Sequence, residues 1–195
     1  MNEFLKLEYE QCLKLINYYD ERHHSLLKYA CGLSSAVPSL LLALWNIKDS
    51  DNKYFWLFST LISFATTVSL LSIFTTLVQT RLYFVYPARQ VNAIRKYCLL
   101  SNATDFLDNQ MYLDTRFSAF KLLSTHTILN GFIALQIGVF FGITIFSYFF
   151  SKQMLSSLYL AFVFGGALSV FVFLLSAWYL YTKSKYHPDI SIHNN

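Results

Sequence analysis

The sequence predicts an all-α membrane protein with four transmembrane helices arranged as two hairpins. Four stretches contain no Asp, Glu, Lys or Arg: Tyr29–Ile47, Tyr54–Thr80, Leu122–Ser151 and Gln153–Thr182. A helix rises about 1.5 Å per residue, so about 20 apolar residues cross the hydrocarbon core. The composition agrees, because 55% of the 195 residues are hydrophobic and only 13% are charged. We number these stretches spans 1 to 4.

The basic residues indicate how the spans are oriented. Twelve of the 15 Lys and Arg residues fall in the segments 1–28, 81–121 and 183–195, whereas Lys48, Lys53 and Lys152 fall at the opposite ends of the spans. Lys and Arg accumulate on the cytosolic side of membrane proteins. We therefore expect a cytosolic helix at 1–28, a cytosolic helical connection at 81–121, a cytosolic tail at 183–195, and both termini inside.

The segment before span 1 carries an apolar stripe at helical spacing. The stripe consists of Leu5, Tyr9, Cys12, Ile16, Tyr19 and Leu26, with His23 at the one remaining seam position. This pattern predicts a helix that runs directly into span 1. The stripe either packs on other cytosolic helices or lies flat on the inner leaflet. Pro38 predicts a kink near the middle of span 1.

Span 2 is the most polar of the four spans. An outer polar set, Ser59, Ser63, Thr66 and Thr67, shares one helix face, and an inner polar set, Ser72, Thr75, Thr76 and Gln79, lies on a different face nearer the cytosol. Hydroxyl groups in a membrane helix bond back to their own helix or contact a neighbouring helix. They also line water or ion paths. The pattern leaves both interpretations open.

The connection between spans 2 and 3 is predicted to be only partly helical. Pro87 predicts that the helix of span 2 ends there. The stretch Leu99–Thr115 is rich in turn-forming residues, and Arg116–Lys121 is expected to begin the helix of span 3. The Asp residues in this stretch lack the glycine and the terminal glutamate of a calcium loop, so we predict no metal site.

Arg89, Arg95 and Lys96 are the candidate residues for binding an anionic signal such as a nucleotide or nucleic acid. Clustered Arg and Lys attract phosphate groups. The alternative is that these residues set the topology and contact anionic lipid.

Spans 3 and 4 each carry small residues at four-residue spacing. In span 3 these are Ala134, Gly138 and Gly142, and in span 4 they are Ala161, Gly165 and Ser169. Small residues at this spacing let two helix backbones approach closely, which predicts helix packing at these positions.

Several functional classes are disfavoured. The five His residues show no ligand spacing with carboxylates, so we expect neither an enzyme nor a cofactor. The three cysteines are widely spaced, which disfavours a disulfide or zinc framework. The spans lack the charges and internal repeats common in transporters.

Two motifs flank the first hairpin. The run Tyr-Asp-Glu-Arg-His-His (Tyr19–His24) precedes span 1, and Tyr-Pro-Ala-Arg-Gln (Tyr86–Gln90) follows span 2 with Asn92, Arg95 and Tyr97 beyond it. Over roughly residues 5–115 this order of parts resembles the SLATT domain, a membrane-effector family found beside nucleotide-producing enzymes in bacterial anti-phage systems. That family usually has two spans, whereas this chain adds a second hairpin after residue 121.

The resemblance implies a homo-oligomeric effector of the bacterial inner membrane. Such an effector permeabilises the membrane when a cytosolic signal or a partner, for example a nucleotidyltransferase, activates it. The alternative is a non-conducting anchor or sensor subunit that holds a soluble defence partner at the inner leaflet. On either reading, membrane lipid is a partner.

Overall fold

The computed structural model describes residues 3–47, 52–101, 113–152 and 156–185. These residues form four α-helices and no β-strand: α1 (Glu3–Ile47), α2 (Asn52–Ser101), α3 (Thr125–Phe150) and α4 (Ser157–Lys183). All four helices are long and apolar enough to cross a membrane. The all-α prediction with four possible spans is therefore confirmed. Residues 48–51 between spans 1 and 2, most of Leu99–Thr115, and the tail from residue 186 lie outside the described residues.

Two helices are much longer than a bilayer requires. α1 has 45 residues and α2 has 50, which gives lengths of about 68 and 75 Å against a hydrocarbon core of about 30 Å. Each helix is therefore long enough to extend beyond a bilayer, and the charged parts of the two helices, 3–28 and 81–101, form a region outside the predicted spans. We call this region the juxtamembrane layer. It comprises residues 3–28 of α1, residues 81–101 of α2 and the non-helical segment 113–124.

Pro87 does not end the helix of span 2. It lies inside α2, which continues to Ser101, so the predicted break is wrong. Proline removes one backbone hydrogen bond and disfavours a helix interior by about 3 kcal/mol. Tertiary contacts can override such a local preference. Here the helix beyond Pro87 is held by Arg89 and Asn92, whose side chains donate to backbone carbonyls of segment 113–124.

Span 3 begins later than the sequence indicated. The expected helical start at Arg116–Lys121 is wrong, because α3 begins at Thr125. Ser124 caps the helix in an extended conformation, and its hydroxyl accepts the Thr127 N–H at 3.3 Å. In the preceding non-helical residues, the Phe117 and Ala119 carbonyls accept hydrogen bonds from the Arg89 and Arg81 side chains of α2.

The helices pack in chain order, with α1 on α2, α2 on α3, and α3 on α4. The fully buried apolar side chains lie mainly on α2 and α3: Leu70, Leu77, Val85, Ile133 and Ile137. α2 is therefore the central helix, and it connects the buried core between the spans to the juxtamembrane layer.

Candidate functional site

The outer polar set of span 2 is buried between the helices of the chain. Ser59, Ser63, Thr66 and Thr67 are each at most 3% exposed. The Ser59 hydroxyl lies 2.8 Å from the hydroxyl of Ser147 in α3. The Thr66 and Thr67 hydroxyls donate to carbonyls of their own helix. Within the chain this set lies at contacts between helices.

The inner polar set lies toward the outer surface of the chain. Ser72, Thr75 and Gln79 are exposed, and Thr76 is half-buried. The Thr75 and Thr76 hydroxyls both donate to the Ser72 carbonyl at 2.9 Å. Thr75 and Gln79 also line a surface groove of about 370 Å³ between α2 and α4, together with Ser176. This set forms an accessible polar surface on span 2.

The small residues of spans 3 and 4 lie at the contact between α3 and α4. A Cβ atom added at Gly165 would lie 2.5 Å from the Gly138 carbonyl oxygen and 3.3 Å from the Gly142 Cα. Ala134 and Ala161 are buried in this region, and the Ser169 side chain faces Gly138. The two backbones approach so closely that no side chain fits between them.

A cleft of about 410 Å³ opens in the juxtamembrane layer between α1, α2 and segment 113–124. Its polar lining consists of Arg81, Asn92, Arg95, Asp114 and Lys121, and its apolar lining of Leu13, Ile16, Phe84, Ala88, Val91 and Phe117. Three cations face one carboxylate. We refer to it as the basic cleft.

Arg89 does not line the basic cleft. Its hydrogen bonds hold the wall of the cleft in place. Its Nε and one terminal nitrogen donate to the Phe117 carbonyl at 3.0 and 2.5 Å, and the same terminal nitrogen donates to the Ser184 carbonyl at 2.5 Å. The side chain is 9% exposed, and burial lowers the pKa of its guanidinium. Arg89 thus ties α2 to segment 113–124 and to the end of α4.

Two further side chains complete this attachment. The Asn92 amide donates to the Asp114 carbonyl at 2.8 Å. The Ser184 hydroxyl accepts the Ala119 N–H at 3.0 Å. A non-helical segment needs such partners because its buried backbone groups otherwise lack hydrogen bonds.

Arg81 lies at the membrane end of the basic cleft. It is 8% exposed, its Nε donates to the Ala119 carbonyl at 3.3 Å, and its guanidinium carbon lies 5.2 Å from the centre of the Phe84 ring. Burial lowers the pKa of the Arg81 guanidinium. No carboxylate of the described residues forms an ion pair with it.

The remaining basic residues differ in their surroundings. Arg95 donates twice to the Tyr9 hydroxyl of α1, at 3.1 and 3.3 Å. The Lys121 ammonium group lies 5.9 Å from the centre of the Phe117 ring at the cleft wall. Lys96 is exposed and lies outside the lining of the cleft. Of the three residues predicted to bind an anion, the structure therefore places only Arg95 in the cleft.

Sequence reasoning missed Arg81 and Lys121, which it treated only as determinants of topology. A signal for Arg81 was present. Arg81, Ala88, Asn92 and Arg95 are separated by seven, four and three residues, so they share one helix face. Lys121 was harder to find, because its place in the cleft depends on how segment 113–124 folds back.

A pair of histidines lies beside the membrane end of the cleft. His23 is 3% exposed, and its Nε2 lies 3.3 Å from Nδ1 of His126 in the first turn of α3. Tyr19, Asp20 and Arg81 surround the pair. In the described part of the chain, no group of three His, Cys, Asp or Glu residues is placed to hold a metal ion.

Comparisons with protein-family models, curated proteins and solved structures found no match to this chain.

Proposed function

We propose that this protein is a membrane effector of a bacterial anti-phage defence system, a homo-oligomer in the inner membrane that conducts ions when a cytosolic signal activates it. The observation that carries the proposal is the continuity of α1 and α2. Each helix forms a wall of the basic cleft and extends without interruption into a candidate span. A signal bound between the juxtamembrane ends of these helices acts directly on the spans.

Continuity matters because a ligand shifts a conformational equilibrium only through contacts that differ between the two states. The Arg95–Tyr9 hydrogen bonds join α2 to α1 next to the cleft. A change in the separation of the two helices at this point is carried along both of them into the membrane. Rigid helices transmit such a displacement over tens of ångströms.

The proposed conduction path lies between copies of the chain. The outer polar set is buried among the helices of one protomer, and its threonine hydroxyls are bonded within α2. The inner polar set is accessible on the protomer surface. Repeating this surface around a symmetry axis assembles a polar lining that a single four-helix protomer does not enclose.

The direct test is ion leakage from liposomes that contain the purified protein, combined with its mass in a lipid environment. We expect an oligomer and a leak that a cytosolic extract from phage-infected cells increases. A monomer, or liposomes that stay tight under all conditions, would remove the channel function.

The second candidate is a non-conducting anchor or sensor subunit, and one observation favours it. The juxtamembrane part of α1 exposes large apolar side chains: Leu7 is 57% exposed, Leu15 45% and Tyr18 52%. Such side chains suit the docking of a soluble partner. Tight liposomes together with stoichiometric binding of a neighbouring nucleotidyltransferase would support this function instead.

A further inference from the structure

We propose that the basic cleft binds a soluble nucleotide, with its phosphate groups at Arg95 and Lys121 and its base against the aromatic wall. This inference rests on the proposed function, because it specifies the class of signal. The inference can nevertheless be tested separately, because ligand binding is measured independently of ion conduction.

The charge of the cleft calls for an anion. Arg81, Arg95 and Lys121 line it, and no carboxylate of the described residues pairs with any of them. The one acidic residue in the lining, Asp114, already accepts the backbone N–H of Arg116 at 2.8 Å. A buried cation without a counter-ion destabilises a protein, and an anion that enters the site relieves that cost. Arg81 is the most buried of the three, at 8% exposed, and its charge adds to the positive potential that Arg95 and Lys121 present to a phosphate.

The size and the apolar lining of the cleft favour a ligand larger than an inorganic ion. The volume of about 410 Å³ falls within the range of small-molecule sites. Phe84 and Phe117 both contribute to the wall, and aromatic side chains stabilise nucleobases by stacking. A phosphate ion alone would leave this apolar surface uncovered. A ligand with a flat base and a phosphorylated sugar matches both the apolar lining and the basic lining of the cleft.

The same phosphate chemistry occurs in lipid headgroups, but the length of the cleft favours a soluble ligand. Arg81 follows the last residue of span 2, and Arg95 lies 14 residues further along α2, which is about 21 Å. The headgroup layer extends only about 5–8 Å beyond the hydrocarbon core. A lipid phosphate at the level of Arg81 therefore does not reach Arg95, whereas a nucleotide in the cleft contacts the far end directly.

Binding at Arg95 also has a mechanical consequence. The guanidinium now donates to the Tyr9 hydroxyl of α1. A phosphate is a stronger acceptor than a phenol because it is charged. A nucleotide phosphate therefore competes with Tyr9 and changes the contact between α1 and α2.

The experiment is a titration of the full chain in lipid nanodiscs with a fluorescent nucleoside diphosphate, mant-ADP, followed by anisotropy. We expect saturable binding that weakens with added salt, as screening requires. Arg95→Gln and Lys121→Gln should each raise Kd roughly tenfold or more, because each removes a charged hydrogen bond to phosphate. Lys96→Gln is the matched control, since Lys96 is a nearby exposed cation outside the cleft. Tyr9→Phe is the second control. It removes the same Arg95 contact but keeps the charge, so its Kd should not rise.

Competition separates the two sources of phosphate. Unlabelled ADP should displace the probe completely, whereas short-chain phosphatidylglycerol at the same concentration should not. Absence of saturable binding, equal losses in Lys96→Gln and Arg95→Gln, or displacement by the lipid would each overturn the nucleotide site. Nucleotide binding without any leak would retain the site and remove the channel function.

Discussion

Nε2 of His23 lies 3.3 Å from Nδ1 of His126, which links the juxtamembrane part of α1 to the first turn of α3. The rings meet edge to face, with their centres 4.7 Å apart. One ring donates its N–H to the lone pair of the other, an arrangement that requires an uncharged acceptor. Burial, followed by repulsion from His126, His24 and Arg81, lowers the pKa of His23 to about 4, although Asp20 opposes this shift.

This pair predicts that stability falls in mild acid. The pKa of His23 is lower in the folded chain than its ordinary value of 6.5, so the unfolded chain binds the proton first. The contribution of His23 is fully present above pH 6.5 and is lost as the pH falls toward about 4. Thermal unfolding in detergent should show this decrease for the wild type. His23→Gln should be less sensitive over the same range, and identical pH profiles for the two proteins would exclude His23 as the cause.

The contact between α3 and α4 predicts a position-specific effect of glycine replacement. Gly165→Leu should lower stability by at least about 1–3 kcal/mol, because overpacking forces the two backbones apart, and Gly138→Leu should act similarly. Gly166→Leu is the control, since a Cβ atom at Gly166 meets nothing within 4 Å. The measurement is thermal stability in detergent. If Gly165→Leu and Gly166→Leu have the same stability, the two helices are not in close contact.

The two polar sets of span 2 predict different effects of the same kind of substitution. Thr67→Leu should reduce stability, because Thr67 is 3% exposed and a larger side chain at a buried position displaces its neighbours. Gln79→Leu should leave stability unchanged and reduce the leak from liposomes, because Gln79 is exposed. Thr76→Leu, at a half-buried position, should fall between them. A leak that is unaffected by Gln79→Leu and by Thr75→Leu would exclude the inner polar set as the lining.

Arg89 predicts that lysine is a poor replacement for arginine at this position. Arg89→Lys should destabilise the protein by about 1.5–3 kcal/mol, because one ammonium group does not reproduce the guanidinium contacts to Phe117 and Ser184. Arg22→Lys is the control, since Arg22 makes an exposed contact with Tyr18. Thermal stability and protease sensitivity of segment 113–124 report the effect. Equal behaviour of the two variants would show that the Arg89 contacts contribute little.

The distribution of basic residues predicts that both termini are cytosolic. In a chain whose native cysteines are replaced by serine, Ser50→Cys should react with an impermeant thiol reagent added outside intact cells, and Ser101→Cys should react only after lysis. The positive-inside rule is the physical basis of this expectation. The reverse labelling pattern would invert the topology and place the basic cleft outside the cytosol.

The number of spans follows from the sequence because it depends on a local property. A helix that crosses hydrocarbon must be apolar along about 20 residues, and that requirement is visible without any neighbour. The spacing of Gly138, Gly142 and Gly165 is local in the same sense. It predicts that a backbone can be approached closely, and the structure shows α3 and α4 meeting there.

The function of individual polar residues depended on tertiary structure. Arg89 and Arg95 are six residues apart and look alike in the sequence, yet one bonds the backbone of a distant segment and the other lines a cleft. Ser63 and Gln79 both belong to span 2, yet one is buried and the other exposed. The helix boundaries also depended on tertiary structure. Pro87 lies inside α2, and Arg116–Lys121 is not helical.

The physical reason is the range of the forces involved. Hydrophobicity, charge and small-residue spacing are properties of the chain itself, so the sequence alone determined an all-helical chain with four possible spans and an asymmetric distribution of Lys and Arg. Arg81 contacts a residue 38 positions away in the chain, and His23 contacts one 103 positions away. Lys121 contacts Phe117, only four positions away. Even this local contact becomes part of the cleft only because segment 113–124 packs against α2. Only the tertiary structure therefore decided which cations face the cleft and which hold the fold together.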